Sequence, residues 1–170
     1  MDLIVSILSK YGLQALALIL VMSGVYEAFH KSNSQTAAAW ESEMVTNVDG
    51  FFQGGLTARN FSGLNNSVAI KASLVPKGML NGDGTTIKGP WPNSYVTLAP
   101  TSNGMGFTAN WTEVSSDDCA TFARSQSANT LTVNGTTIDP ANSAAASSIA
   151  TACSAGTSSS TATVIFEHDS

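Results

Sequence analysis

The sequence predicts an α+β fold. A long N-terminal α-helical spine, apolar all round in its first half, packs against an antiparallel β-sheet head with a C-terminal disulfide-bounded region. Three observations carry this. Tyr11 to Tyr26 is a run of 16 residues without a charge, and no proline occurs before Pro76. After Gly54-Gly55 the chain breaks into short segments separated by turn residues. The only two cysteines, Cys119 and Cys153, both lie late in the chain.

Composition narrows the function. The chain has 170 residues, a net charge of −5, 43% apolar residues and 11% charged residues. That charged share is about half the usual 25%. Such an apolar content excludes intrinsic disorder. An acidic chain with no Lys/Arg cluster predicts no nucleic-acid binding. Two histidines, two cysteines and scattered acids argue against a dedicated metal site. Ser and Thr fill 23 and 18 positions, giving a hydroxyl-rich chain of a kind common outside the cytoplasm. Residues 101–170 hold six acids against Arg124 alone, so the net charge lies there.

The spine comes first. Sixteen helical residues span about 24 Å and a bilayer core about 30 Å, so Tyr11–Tyr26 alone is short. Leu3–Tyr26 is long enough but includes Lys10, at a cost of about 2.5–3.5 kcal/mol if central. A cleaved secretory signal is disfavoured: Met1-Asp2 is acidic, and Glu27-Ala28-Phe29-His30-Lys31 offers no small-x-small site. The apolar segment reads as retained, with Met1 either the true start or the first residue left by a removed basic leader. Residues 1–26 are therefore expected to form a half-helix built for lipid or a protein bundle, and 27–170 the head. Ala37, Trp40, Met44, Val48 and Phe51 recur at spacings of three and four, predicting the core stripe of an amphipathic helix, with Glu41, Glu43 and Asp49 off it. One helix over about residues 2–52 would measure roughly 75 Å. Gly12 and Gly24 are its weak points.

In the head, Asn65-Asn66-Ser67 opens a short capped helix ended by Pro76. Asn81-Gly82-Asp83-Gly84 is a turn. Tyr95–Leu98 and Met105–Trp111 read as one hairpin, and Leu131–Val133 with Thr136–Ile138 as another around Asn134-Gly135. Ser115 or Ser116 caps a helix carrying Asp117-Asp118 in its first turn and Cys119, Phe122, Ala123 and Gln126 on one face. Asp139-Pro140 opens an Ala/Ser-rich helix to about Ala152, and Ala162–Phe166 closes as a strand. For the cysteines of an exported domain the default is a disulfide, the other reading being two buried thiols.

A retained apolar helix continuing as the amphipathic spine of an α+β head with late cysteines resembles a type IV pilin. The segment Gly63-Leu64-Asn65-Asn66-Ser67-Val68-Ala69-Ile70-Lys71-Ala72-Ser73-Leu74-Val75-Pro76-Lys77-Gly78-Met79 is similar to the loop and second helix of type IVb pilins, above all the major pilins of conjugative thin pili and related enterobacterial pili. The resemblance implies a structural subunit, not an enzyme, that polymerises through its N-terminal helix into an extracellular pilus for adhesion, aggregation or mating-pair contact. It implies no cofactor. It implies self-association, passage through the inner membrane, the pilus assembly machinery, prepilin peptidase and a candidate cell-surface receptor as partners. The cysteine pair would bound the variable exposed region. The alternative is an anchored minor pilin, pseudopilin or adhesin that never forms the bulk filament. The family's glutamate at the fifth mature position is replaced by Val5.

Catalytic signals are weak. His30 and His168 have no nucleophile at telling spacing, and Gly82-Asp83-Gly84 is followed by no phosphate-loop Lys. Trp91, between Pro90 and Pro92, reads as surface or loop packing. Asp2 and Lys10 are the only side-chain charges before Glu27, and about 12 Å of helix separates them within one chain. They are expected to pair between adjacent subunits; otherwise Asp2 sits at the helix N-terminus and Lys10 snorkels.

Overall fold

A computed structural model describes residues 32–53, 59–154 and 161–169. The expectations on Asp2, Lys10, Gly12 and Gly24, and on the apolar half-helix, lie outside the described residues. Among the described residues no helix is long and apolar enough to cross a membrane.

Helix α1 (Asn33–Gln53) is the amphipathic spine. Its buried residues are Ser34, Ala37, Glu41, Met44 and Val48, at steps of three and four. This differs from the expected stripe at three places. Phe51 is 56% exposed. The register that buries Val48 carries next to Phe52, which stacks on Phe61 at 5.4 Å between ring centroids. Glu41, expected off the stripe, is fully buried. Trp40 is half-buried, its ring lying over Gly78, where an added Cβ would meet it at 2.6 Å.

A short helix α2 (Asn66–Lys71) follows, its N-terminus held by the Asn65 side chain, which accepts from Val68 N–H at 3.0 Å. It stops at Lys71 rather than at Pro76, because Ser73 takes a φ of 59°. A 3₁₀ turn (Lys77–Met79) then leads to the sheet.

Six strands make one antiparallel sheet: β1 (Ile87–Lys88), β2 (Tyr95–Pro100), β3 (Gly106–Ser115), β4 (Thr130–Val133), β5 (Thr136–Ile138) and β6 (Thr161–Asp169), in the order β1-β2-β3-β6-β4-β5. The closing strand runs longer than Ala162–Phe166 and lies mid-sheet, paired to β3 and β4. Registers set one inner face: Val96 opposes Trp111, Trp111 opposes Val164, and Val164 opposes Val133. A second row runs Leu98, Ala109, Phe166, Leu131, Ile138. Directly opposed residues share a face, so these apolar side chains form a continuous floor for the helices packed on it. The other face is rich in Thr and half-exposed.

Both hairpins occur where turn chemistry places them. In the second, Asn134 and Gly135 both have positive φ, 48° and 80°, as a two-residue turn between twisted strands requires. The edge of β2 beyond β1 is closed by a side chain. Asn66 donates to Val96 C=O and accepts from Leu98 N–H, both at 2.8 Å, copying a strand's pairing.

Helix α3 (Ser116–Ala123) and helix α4 (Ala145–Ser154) complete the head. Ser115 is the N-cap residue of α3, without a side-chain cap bond. Gln126 lies past the end of α3 rather than on its face. It donates to Ala38 C=O at 2.9 Å and accepts from Ser42 at 3.1 Å, tying that end to α1. Helix α4 starts later than Asp139-Pro140, because Asp139 and Asn142 turn their carboxylate and amide oxygens onto Ala141 and Ala144 N–H at 2.8 and 2.9 Å. Asx turns compete with helix at such positions.

The core centres on Phe122, whose ring lies 5.0 Å from Trp111, 5.2 Å from Phe166 and 5.3 Å from Trp91. Such pairs contribute about 0.5–1.5 kcal/mol each beyond area burial. Trp91 is thus a core residue, not loop packing, and is 4% exposed. Its flanking prolines fold the loop inward, and its indole N–H is satisfied by Asp118 at 2.7 Å.

Candidate functional site

Two constructions tie the head together, and neither resembles a catalytic centre. The first is the seam between spine and sheet. Glu41 reaches from α1 into the core with no exposed surface. Its Oε2 accepts the indole N–H of Trp111 on β3 at 2.9 Å. Its Oε1 lies 3.1 Å from His168 Nε2 on β6. His168, 7% exposed, sits beside Phe107 and Phe166 at ring distances of 5.1 and 6.4 Å. Three elements distant in sequence therefore converge on one carboxylate. A buried carboxylate stripped of water is tolerable only with such partners. Sequence reasoning put Glu41 off the stripe and left His168 without a role. The signals were present: 37, 41, 44 and 48 are helically spaced, and His168 continues the alternation of Ala162, Val164 and Phe166.

The second construction is the disulfide-bounded region. Cys119 on α3 and Cys153 on α4 are joined, with Cα atoms 5.8 Å apart and a separation of 34 positions in sequence. The bridge binds the two helices to one another over the inner face of the sheet. Asp117 and Asp118 fall in the first turn of α3, at the positive end of its dipole, and Asp118 also holds Trp91. Among the described residues no group of three His, Cys, Asp or Glu side chains could hold a metal ion.

Asp83 is the one group with a clear titration shift among the described residues. The Thr86 hydroxyl, then the backbone N–H groups of Thr85 and Thr86, hold its carboxyl well below the usual carboxylate range. The N–H groups lie 2.8 and 2.7 Å from its Oδ1. This anchors the turn into β1 and has no reacting partner.

A helical spine laid across an antiparallel sheet, with a late disulfide bounding a surface region, defines the class of type IVb pilins, structural subunits of extracellular pili. The chain belongs to the PilS N-terminal family, whose model matches residues 32–168. Its fold is similar to that in the crystal structure of the type IVb pilin from Salmonella typhi, with a TM-score of 0.60 and 21% identity, covering 79% of this chain and 99% of that one. No curated protein matches the chain.

Proposed function

We propose that this pilus subunit polymerises through its N-terminal helix, residues 1–26 forming the filament core and residues 27–170 the displayed head. The observation that carries the reading is the sequence of that helix: 16 consecutive uncharged residues, Tyr11–Tyr26, joined without a proline to the amphipathic spine α1. A head whose core is already closed by α1 has no use for so apolar an extension. Bundled with its copies, the extension would bury its surface at about 25 cal/mol per Å². Before assembly the same segment would hold the chain in the inner membrane, where prepilin peptidase and the assembly machinery act on it. The Asp2–Lys10 pairing between adjacent subunits would set the register in place of the missing glutamate, with Gly12 and Gly24 allowing local loss of helix. The head is the part that would meet a cell-surface receptor.

Electron microscopy of cells assembling the chain tests the reading. Wild type gives filaments, Lys10→Glu abolishes them, and Asp2→Lys with Lys10→Glu restores part of the yield. Wild-type piliation by Lys10→Ala overturns the pairing, and absence of filaments from the wild-type chain in an assembling host overturns polymerisation.

A further inference from the structure

The disulfide-bounded region holds a cleft that the filament role does not explain. It lies between the C-terminal end of α3, the segment leading into β4, and the loop that opens α4, with a volume of about 550 Å³. That falls in the range of small-molecule sites, about 300–1,000 Å³. Leu131 and Ile149 close its base, each at most 4% exposed, and Ala128, Pro140 and Ala145 supply its accessible apolar surface. Arg124, Ser127, Asn142 and Ser143 supply the polar lining. The Asn142 side-chain Oδ1 accepts from Ala144 N–H at 2.9 Å, and no hydrogen bond from its NH₂ group is seen among the described residues.

Arg124 decides the chemistry. It is the only Lys or Arg in residues 101–170, among six acids. Yet the single ion pair among the described residues joins Glu41 and His168, so the Arg124 guanidinium has no acidic partner there. A guanidinium offers a planar fork of donors that fits a carboxylate in bidentate fashion. An apolar floor beneath hydroxyl and amide donors suits the face and edges of a pyranose ring. The walls belong to the two helices that the Cys119–Cys153 bridge joins, so the bridge fixes their separation.

We propose that this cleft binds a carboxylate-bearing pyranose, the sugar-acid chemistry of a uronic or a sialic acid on a cell surface. The Arg124 guanidinium holds the carboxylate, and the ring lies over Ala128, Pro140 and Ala145. This rests on the displayed-subunit reading for its setting only; the binding itself belongs to the unassembled chain. A loss of polymerisation therefore leaves it intact, and a failure to bind leaves polymerisation intact.

The test is saturation-transfer NMR on the full chain in detergent with three probes: sodium D-glucuronate, N-acetylneuraminic acid and D-glucose. Transfer to one or both sugar acids, at least about tenfold stronger binding than glucose, is expected from a charge-assisted pair. The two acids separate a uronate from a sialate preference. Arg124→Gln should remove that preference without moving the melting temperature, since the side chain is exposed. Ala146→Glu, at an exposed position on the lining, should repel the acid probes independently. Reduction of the disulfide should weaken binding. Transfer to glucose equal to that to the better of the two acids, no transfer to either acid, or unchanged binding by Arg124→Gln would overturn the proposal.

Discussion

Removing His168 should cost this head more than removing its whole buried pair. In His168→Leu the Glu41 carboxylate keeps the Trp111 N–H at 2.9 Å but loses the group at 3.1 Å, while remaining fully buried. Stranding one partner of a buried pair costs about 3–5 kcal/mol. For a chain of this size that lowers the melting temperature by about 6–20 °C. Replacing both partners, Glu41→Met with His168→Leu, takes the charge away. It leaves the Trp111 indole as the one unpaired donor, at about 1–3 kcal/mol. The double variant should therefore melt above the His168→Leu single variant, although it carries one more change. Thermal unfolding of the full chain in detergent, followed by near-ultraviolet circular dichroism, reads the order directly through the buried tryptophans. A His168→Leu variant melting within about 2 °C of wild type, or a double variant melting below it, would refute the reasoning.

Three further outcomes follow from single features. Cys119→Ser with Cys153→Ser should lower stability by about 4 kcal/mol, the chain-entropy value for a loop of this length, with amide exchange rising first in α3 and α4; equal exchange rates would contradict it. Gly106→Ala should destabilise by about 1–3 kcal/mol, because the added Cβ runs into the backbone carbonyl of His168 and into Asp169 at the end of the β3–β6 ladder; an unchanged denaturant midpoint would contradict it. Asp83 has its folded-state pKa depressed below the ordinary carboxylate value of 3.8, so its support of the turn is full above that value and fades as pH falls below it. Intrinsic-rate-corrected exchange protection of the Thr85 and Thr86 amides should hold from pH 7 to pH 5 and drop toward pH 2, while Asp83→Ala shows low protection throughout; a pH-independent wild type would contradict it.

Most of the fold was legible because local chemistry and global architecture agree in it. Asn65 caps α2, Asn134-Gly135 makes a hairpin, and the alternating apolar residues of β3 and β6 face one way. The misplaced boundaries have a common cause. At Ser73, Asp139 and Asn142, left-handed backbone or side-chain turns ended or delayed a helix that composition alone would have extended. The two-residue strand β1 carries too little alternation to be seen, and it exists because β2 offers it an edge.

The seam was illegible for a different reason. Periodicity offered two stripes on α1, one through Trp40 and Phe51 and one through Glu41 and Phe52, rotated by about 100° at the first pair. A hydrophobicity rule must choose the tryptophan and reject the glutamate. The choice reverses only once two donors from β3 and β6 are known to meet the carboxylate, and nothing local to α1 reports them. Trp40 then does what a large side chain at the edge of a stripe can do, covering Gly78 while half in solvent. A long helix with an apolar stripe could slide on a flat apolar sheet by one turn at small cost in buried area. A carboxylate with partners at one depth only makes every other register strand a charge, which ties the register of the spine on the sheet to Glu41 rather than to the stripe that surrounds it.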